Sequence, residues 1–178
     1  MKMELNELLM KRRSIRSYKE AEVREEDIRT IIEATLLAAS WKNTESGRYY
    51  VAISEEAKKE VYDALPDFNQ NSTKNAAYII AAFKKGLSGC KGAGEYADEL
   101  KDSWGAYDLG LQNSYLMLKA SELGYDTLIM GLRDVDKLRK YFGIPEDEII
   151  MPVIAIGVKD KEAQLRPRKG LDEVLVIK

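Results

Sequence analysis

The sequence predicts an α+β fold in a single domain covering residues 1–178. Its 178 residues are 45% hydrophobic and 33% charged, a composition typical of a globular chain with one core. Helix and strand patterns follow one another in the order α-α-β-α-β-α-β-α-β-β, which lacks the regular βαβ alternation of a doubly wound fold. Neither GxGxxG nor GxxxxGK[ST] occurs, so the phosphate-binding loops of dinucleotide-binding and P-loop proteins are not indicated.

The N-terminal half contains three helix patterns and two strand patterns. Leucines spaced i, i+3, i+4 predict a short amphipathic helix at 4–12. Residues 25–40 repeat that stripe after three acidic residues, which suit the positive end of a helix. Residues 49–54 are aromatic and β-branched, as in a strand. A helix at 55–65 is ended by proline, and the continuously apolar run 76–83 fits a strand buried on both faces.

The C-terminal half opens with a glycine-rich loop at 84–96 and a long helix at 103–125. That helix is apolar nearly all round, so it belongs at the centre of the domain or at a subunit interface. The remaining patterns are a strand at 126–132, a helix at 134–143 with Asp134 as N-cap and Gly143 at its end, a buried strand at 151–159 and a terminal strand at 173–178.

Charge and residue counts exclude several classes of protein. The chain has 28 basic and 30 acidic residues, a net charge of −2, which argues against a general nucleic-acid or membrane binder. It has one cysteine, Cys90, and no histidine, which excludes a Ser-His-Asp triad, a Cys/His pair and a Cys/His zinc site. No signal-peptide pattern opens the sequence and no apolar run reaches the ~20 residues of a membrane span. We expect a cytoplasmic protein without a metal site.

The stretch KRRSIRSY at 11–18 concentrates charge in a nearly neutral chain. Basic residues at the end of a helix suit its negative pole, which accounts for the first part of the stretch. Arg12, Arg13 and Ser14 also offer guanidinium and hydroxyl donors within three residues, as a phosphate site requires. This pattern alone does not decide between a charged helix end and a phosphate site.

Three further segments allow a structural and a functional interpretation. The turn after the second helix offers Ser40 and Asn43 to a ligand, but it could be a plain helix-to-strand connection. The strand that runs into Met130 and Gly131 could bring backbone N–H groups to a flat ligand, because glycine permits close approach, or could end in an ordinary turn. The segment LRPRKG at 165–170 could be a basic ligand loop or a solvated loop.

Taken in order, these segments resemble the nitroreductase family of FMN-dependent oxidoreductases over almost the whole chain. The similar motifs are an R-x-S-x-R/K at Arg12, Ser14 and Arg16, an A-P-S-x-x-N-x-Q-P-W-R-F that reads Ala38 to Tyr49 here, KASELGYDT followed by IMG, IPEDEIIMPVIAIGVKDKE, and a late basic group at Arg166, Arg168 and Lys169. No single motif is specific, but five in this order and spacing are.

The resemblance implies a mostly antiparallel sheet surrounded by helices. It implies FMN as cofactor, with NADH or NADPH as electron donor and a small acceptor such as a nitroaromatic or a quinone, used in a ping-pong reaction. It also implies a homodimer with FMN at the subunit interface and residues 173–178 exchanged between subunits, and no nucleic-acid or membrane partner. A flavin carrier or sensor without turnover remains the alternative.

The resemblance also implies roles for individual residues. The phosphate of FMN would be held by Arg12, Ser14, Arg166 and Arg168, with Arg13 beside them. Arg16 would face the N1/O2 edge of the flavin, Asn71 and Lys74 its pyrimidine edge, and the backbone of Met130 and Gly131 its N5 atom, so Arg16, Met130 and Gly131 are the catalytic candidates. Ala39, Ser40, Trp41 and Asn43 would close the site of the partner subunit. Glu45-Ser46-Gly47 replace the family's Gln-Pro-Trp, which we expect to loosen that turn.

Overall fold

A four-stranded antiparallel sheet forms the centre of the computed structural model, which describes residues 4–92 and 94–178. Its strands lie in the spatial order β1-β2-β6-β5, and every pairing is antiparallel. The strands are β1 (Gly47–Ala52), β2 (Ala77–Lys84), β5 (Asp126–Met130) and β6 (Glu148–Gly157), and a separate hairpin consists of β3 (Cys90–Gly92) and β4 (Glu95–Tyr96). The α+β class and the antiparallel sheet predicted from the sequence are confirmed.

Helices cover both faces of this sheet. They are α1 (Leu5–Lys11), α2 (Glu25–Thr35), α3 (Glu55–Asp63), α4 (Asp67–Ser72), α5 (Ser103–Glu122) and α6 (Val135–Phe142), with 3₁₀ turns at Trp41–Asn43 and Leu171–Glu173. One apolar cluster joins Val61 of α3 and Leu138 of α6 to one face of the sheet. A second cluster joins Ile31 of α2 and Leu116 of α5 to the other face.

Strand β2 shows why the sheet is buried on both faces. Alternate side chains point to opposite faces of a strand. Tyr78 and Ile80 lie in the cluster with α3 and α6, whereas Ile79 lies in the cluster with α2 and α5. All three side chains are at most 1% exposed, as expected of a continuously apolar strand between two layers.

Several local predictions hold and several boundaries differ. Asp134 caps α6 by accepting the Lys137 N–H, and Gly143 ends that helix with φ 62°. The predicted helix 25–40 ends at Thr35, where the hydroxyl donates to the Ile32 carbonyl and competes with the helical pattern. Helix α4 was not predicted, because its sequence DFNQNS has no apolar periodicity.

The C-terminal segment differs most from its prediction. A strand was predicted at 173–178, but after the turn Leu171–Glu173 this single chain has no strand. Val176 and Ile177 are 80% and 84% exposed. A strand needs backbone partners from a sheet edge, and this chain supplies none to the segment. Exchange of the segment between subunits stays a prediction. Among the described helices, none has the length and apolarity required to cross a bilayer.

Candidate functional site

The segment that follows α1 lies along the free edge of β5. Ser14 forms a parallel bridge with Thr127, and the Ile15 N–H donates to the Thr127 carbonyl at 3.1 Å. Ile15 is 1% exposed and turned into the core. Since side chains alternate along an extended segment, the residues at 12, 14 and 16 face away from that core. The chain thus presents its N-terminal basic motif on one side of the sheet edge.

A cleft of about 440 Å³, which we call the basic cleft, brings the two predicted basic clusters together. The sequence separates Arg12 from Arg168 by most of the chain, yet both lie on this cleft. Other lining residues include Arg13, Ser14, Arg16, Ser17, Lys161, Gln164 and Arg166. Ser17, Lys161 and Gln164 were missed from the sequence, where KDKE at 159–162 has two basic and two acidic residues and therefore no net charge to mark it. Glu162 also lines the cleft.

The charge in this cleft is not neutralised by the protein. Among the described residues, none of its arginines forms an ion pair with a carboxylate, and Glu162 pairs instead with Lys159 at 2.8 Å. The pKa of Arg12 lies below its ordinary value, first because the guanidinium is partly buried and then because Arg168 and Arg13 are close. Gathering like charges in this way costs free energy unless an anion is bound. The cleft therefore fits a phosphate.

A second cavity, of about 350 Å³, lies around Gly131 at the other end of β5. We call it the glycine cavity. Gly131 is exposed there, facing Ala106, Gly110 and Asn113 of α5 and Arg133 of the following loop. Met130 is 3% exposed, with its side chain in the core, so only its backbone can face a ligand. From Thr127, beside Ser14, to Gly131 is four residues, or roughly 13 Å of strand. One elongated ligand could thus reach both cavities.

Arg133 fixes the loop beside Gly131. Its guanidinium donates to the Gly131 carbonyl at 2.7 Å and to the Ile150 carbonyl of β6. Burial lowers the pKa of Arg133, and its Nε is buried without a hydrogen-bond partner in the part of the chain that the structure describes. No sequence pattern marks Arg133, because its contacts join positions that only the fold brings together.

The turn after α2 has unusual backbone angles and is held by side-chain hydrogen bonds. Lys42, Asn43 and Glu45 have φ values of 46°, 57° and 47°, a region that side chains other than glycine adopt at a cost. The Ser40 hydroxyl accepts the Glu45 N–H at 3.2 Å, and the Asn43 amide donates to the Glu45 carboxylate at 2.9 Å. Ser46, in place of the family's proline, is fully buried. These contacts hold the turn in the observed conformation, and the expected loosening relative to the family stays a prediction.

Two groups of predicted residues lie outside both cavities of the single chain. Ala39, Ser40, Trp41 and Asn43 line neither the basic cleft nor the glycine cavity. Asn71 and Lys74 are exposed on and after α4 and also line neither. Helix α4 does approach the loop after Gly131, because the Asn69 amide reaches the Leu132 carbonyl at 3.5 Å. Flavin contacts for these residues stay predictions.

Gln112 of α5 fills the space beside the start of β1. A Cβ on Gly47 would lie 1.9 Å from Gln112 Oε1, so a larger residue here, such as the family's tryptophan, would require the end of the Gln112 side chain to move. Gln112 is 2% exposed, and its Oε1 has no hydrogen-bond partner among the described residues. A buried acceptor without a donor costs free energy.

We expect Gln112→Met to raise the thermal midpoint by roughly 2–4 °C. Methionine keeps the shape of the side chain and removes the unpaired acceptor, which relieves about 1 kcal/mol. Gln70→Met is the matched control, because the Gln70 amide donates to the Tyr62 and Leu65 carbonyls at 3.0 and 2.9 Å and its loss should lower the midpoint. Thermal unfolding followed by circular dichroism measures both. A lower midpoint for Gln112→Met contradicts the prediction.

Comparisons with known proteins identify the family of the chain. The family model described as Nitroreductase family matches residues 9–158. A protein of Archaeoglobus fulgidus, provisionally named NADH dehydrogenase/NAD(P)H nitroreductase, is 27% identical over 159 residues, which cover 87% of this chain and 85% of that protein.

Solved structures share the fold. A nitroreductase family protein from Streptococcus pneumoniae has a TM-score of 0.85 at 20% identity, with 98% of this chain and 100% of that one covered. A provisionally assigned nitroreductase from Exiguobacterium sibiricum, solved in complex with FMN, has a TM-score of 0.84 at 23% identity, with 99% and 98% covered. The family match takes in the basic N-terminal segment, the strained turn, β5 and the glycine cavity, and on that basis this chain belongs to the nitroreductase family.

Proposed function

We propose that the chain is an FMN-dependent oxidoreductase that moves reducing equivalents from NADH or NADPH to a small acceptor such as a nitroaromatic or a quinone. One observation carries the proposal. A cleft of unneutralised arginines and an exposed glycine cavity lie at opposite ends of the same strand, β5. Such a pair of sites suits a ligand that has a phosphate at one end and a flat ring at the other. The relative from Exiguobacterium sibiricum, solved with FMN, supports this ligand.

The basic cleft supplies the donors that a phosphate monoester prefers. Guanidinium groups bind phosphate oxygens in a bidentate manner, and a hydroxyl adds a further donor. In this assignment Arg12, Ser14, Arg166 and Arg168 hold the phosphate, and Arg13 borders it. The pKa of Arg12 is lowered by burial and then by the proximity of Arg168 and Arg13, and a bound dianion would offset both effects.

The glycine cavity suits the ring of the flavin. FMN, when bound, supplies the hydride-accepting and hydride-donating chemistry, which no side chain of the protein can supply. The backbone at Met130 and Gly131 would bind the ring edge at N5, since Gly131 is exposed and no side chain blocks it. Arg16, two residues beyond Ser14 and free of ion pairs among the described residues, would place positive charge near the N1/O2 edge.

The apolar surface of the chain supports a homodimer. Helix α1 packs on α5, and this side exposes Leu9, Met10 and Tyr107, while Leu36 and Leu37 are 57% and 79% exposed after α2. Large apolar side chains that are exposed together mark surfaces of association, and these residues are the candidates for a dimer interface. In the proposed dimer, residues 39–43 of the partner subunit close the flavin site. This accounts for their absence from both cavities of one chain.

The free edge of β1 offers a place for the exchanged C-terminal strand. Strand β1 is at one end of the sheet, and a groove of about 490 Å³ runs between it and α2. The groove is lined by apolar side chains that include Ile32, Tyr49 and Val51. The segment 173–178 carries exposed valine, leucine and isoleucine side chains, which match the groove in chemistry and the edge in backbone hydrogen bonds.

Removal of residues 171–178 should weaken the dimer at least tenfold. The truncated chain loses the strand that would pair with β1 and its apolar contacts, each worth about 1 kcal/mol or more when buried. Sedimentation velocity over a concentration series measures the dimer dissociation constant. Lys178→Ser is the control, since it alters the tail without removing an apolar side chain. A truncated chain that dimerises as tightly as the full chain contradicts strand exchange.

In the proposed reaction donor and acceptor use the same face of the flavin ring in turn, which gives a ping-pong sequence. The donor must leave before the acceptor binds, so initial rates at several fixed acceptor concentrations should give parallel double-reciprocal lines. Intersecting lines would require donor and acceptor to bind together and would contradict the sequence. Bound FMN that neither NADH nor NADPH reduces would favour a flavin carrier or sensor. A cytoplasmic location is part of the same proposal.

A further inference from the structure

A buried group of polar side chains lies beneath the strained turn at residues 40–46. Asp108 of α5 is 2% exposed, and its Oδ2 accepts the backbone N–H of Trp41 at 2.9 Å. The same oxygen accepts the hydroxyl of Ser88 at 2.7 Å. Ser88 is 1% exposed and also lies 3.0 Å from the hydroxyls of Thr44 and Ser46. We call Asp108 and Ser88 the turn anchor.

The hydrogen-bonding capacity of Ser88 is fully used. A hydroxyl has one proton to donate and two lone pairs to accept with. An ionised carboxylate only accepts, so the single proton of Ser88 goes to Asp108. The hydroxyls of Thr44 and Ser46 must therefore both donate to Ser88. Each hydrogen bond in this buried set therefore has a definite donor. Together these bonds connect Trp41, Thr44 and Ser46 of the turn to the Asp108 carboxylate.

The turn anchor is itself held firmly. The loop that carries Ser88 is tied to the start of α5, because the Gly86 N–H donates to the Asp102 carboxylate at 2.8 Å. Gly89 has φ 79°, and a Cβ there would lie 2.4 Å from the Lys101 carbonyl. Asp108 lies on the same helix, one and a half turns further along. A rigid base of this kind can hold a strained turn in place.

The serine at 46 suits this turn where a proline would not. A residue that precedes proline is pushed towards extended backbone conformations, but Glu45 has φ 47°. A proline at 46 would thus oppose the observed conformation. The rigidity that a proline supplies elsewhere has to come from contacts in this chain, and the hydroxyl of Ser46 makes one with Ser88.

We propose that Asp108 and Ser88 are positioning residues that hold the turn bearing Ser40, Trp41 and Asn43 in the conformation that closes the flavin site of the partner subunit. The expected effect on FMN binding rests on the proposed function, because it presumes that the turn contacts FMN. The geometry of the anchor is independent of that presumption, because it involves only contacts within one chain.

Four variants test the anchor. Ser88→Ala removes the shared hydroxyl, and Asp108→Ala removes the common acceptor. Asp108→Asn keeps an oxygen that can accept from both Trp41 and Ser88, so it should restore the anchor. Tyr125→Phe is the matched control: the Tyr125 hydroxyl also donates to a carboxylate at 2.7 Å, that of Asp27, but at α2 and away from the turn. Ser88→Ala changes one atom and stands as the test if Asp108→Ala fails to fold.

The first readout is the FMN dissociation constant, obtained by flavin fluorescence titration. We expect about a tenfold rise for Ser88→Ala and at least that for Asp108→Ala, the effect of one to two lost hydrogen bonds at a charged group. Asp108→Asn should stay within about threefold of the original chain, and Tyr125→Phe should bind FMN unchanged. Equal affinity in all variants, or equal weakening in Tyr125→Phe, overturns the proposal. An Asp108→Asn as weak as Asp108→Ala also overturns it.

The second readout is tryptophan emission without FMN, which separates failure of the anchor from failure of the proposed function. The chain has two tryptophans, and they lie together with ring centroids 5.0 Å apart. The Trp41 indole donates to the Cys90 carbonyl at 3.0 Å. Emission should move to longer wavelength in Ser88→Ala as Trp41 leaves this position, and not in Tyr125→Phe. If the original chain binds no FMN but this shift occurs, the proposed function fails and the anchor stands. No shift overturns the anchor.

Discussion

Arg12→Ala should raise the dissociation constant for FMN about 100-fold and should not lower the stability of the chain without FMN. Loss of a bidentate guanidinium–phosphate pair removes two charge-assisted hydrogen bonds, and 100-fold corresponds to about 2.7 kcal/mol. Without FMN, the substitution should leave the free energy of unfolding unchanged or raise it. The folded chain lowers the pKa of Arg12 through burial and the proximity of Arg168 and Arg13, so its charge is unfavourable to folding and its removal relieves repulsion.

The comparison of FMN with riboflavin isolates the phosphate contribution. Riboflavin lacks the phosphate, so its affinity should be nearly the same for the original chain and for Arg12→Ala. Arg29→Ala is the control, because Arg29 is an exposed arginine on α2 that pairs with Glu25 and lies outside the cleft. Thermal unfolding without FMN supplies the second quantity. An Arg12→Ala chain that binds FMN normally, or that loses riboflavin as severely as FMN, contradicts the phosphate assignment.

Arg16→Ala should slow the reduction of bound FMN by NADH or NADPH about 100-fold while FMN affinity changes by less than about threefold. In the free chain Arg16 lies on the same cleft as Arg12, and its guanidinium donates to the Ser14 carbonyl at 3.3 Å. In the proposed complex this guanidinium turns to the N1/O2 edge of the flavin, whereas Arg12 holds the phosphate. A cation near the ring stabilises the negative charge that reduction adds, and loss of such a group typically costs about 10²–10³ in rate.

Single-turnover mixing without oxygen measures this rate, and Arg16→Lys is the matched variant because it retains a positive charge. We expect the lysine variant to recover most of the rate. The reduction potential of bound FMN should fall in Arg16→Ala, which a purely structural role would not produce. If Arg16→Ala abolishes FMN binding to the same extent as Arg12→Ala, the two arginines share one role and the division between them is wrong.

Much of the fold follows from local patterns in the sequence. The continuously apolar run around Ile79 predicts a strand between two layers, and Asp134 and Gly143 mark the ends of α6. These signals are local, because caps and periodicity depend on neighbouring residues. Helix α4 and the β3–β4 hairpin carry no such signal. The predicted terminal strand does not form in the single chain, and its pairing with a second subunit stays a prediction.

Part of the candidate site could likewise be predicted and part could not. The resemblance predicted that the N-terminal and C-terminal arginines bind one phosphate, and the structure places Arg12 and Arg168 on one cleft. Arg133, Asp108 and Ser88 could not be found in this way. Their contacts join loops and helices that are distant in sequence, and a lone arginine, aspartate or serine on such an element has no pattern to mark it.

Anaerobic mixing of the FMN-reconstituted chain with NADH or NADPH tests the central claim most directly. The account predicts that the visible absorbance of the oxidised flavin is lost within seconds and returns when a nitroaromatic or a quinone is added without oxygen. A chain that retains no FMN after reconstitution, or bound FMN whose absorbance persists with both donors, would contradict it.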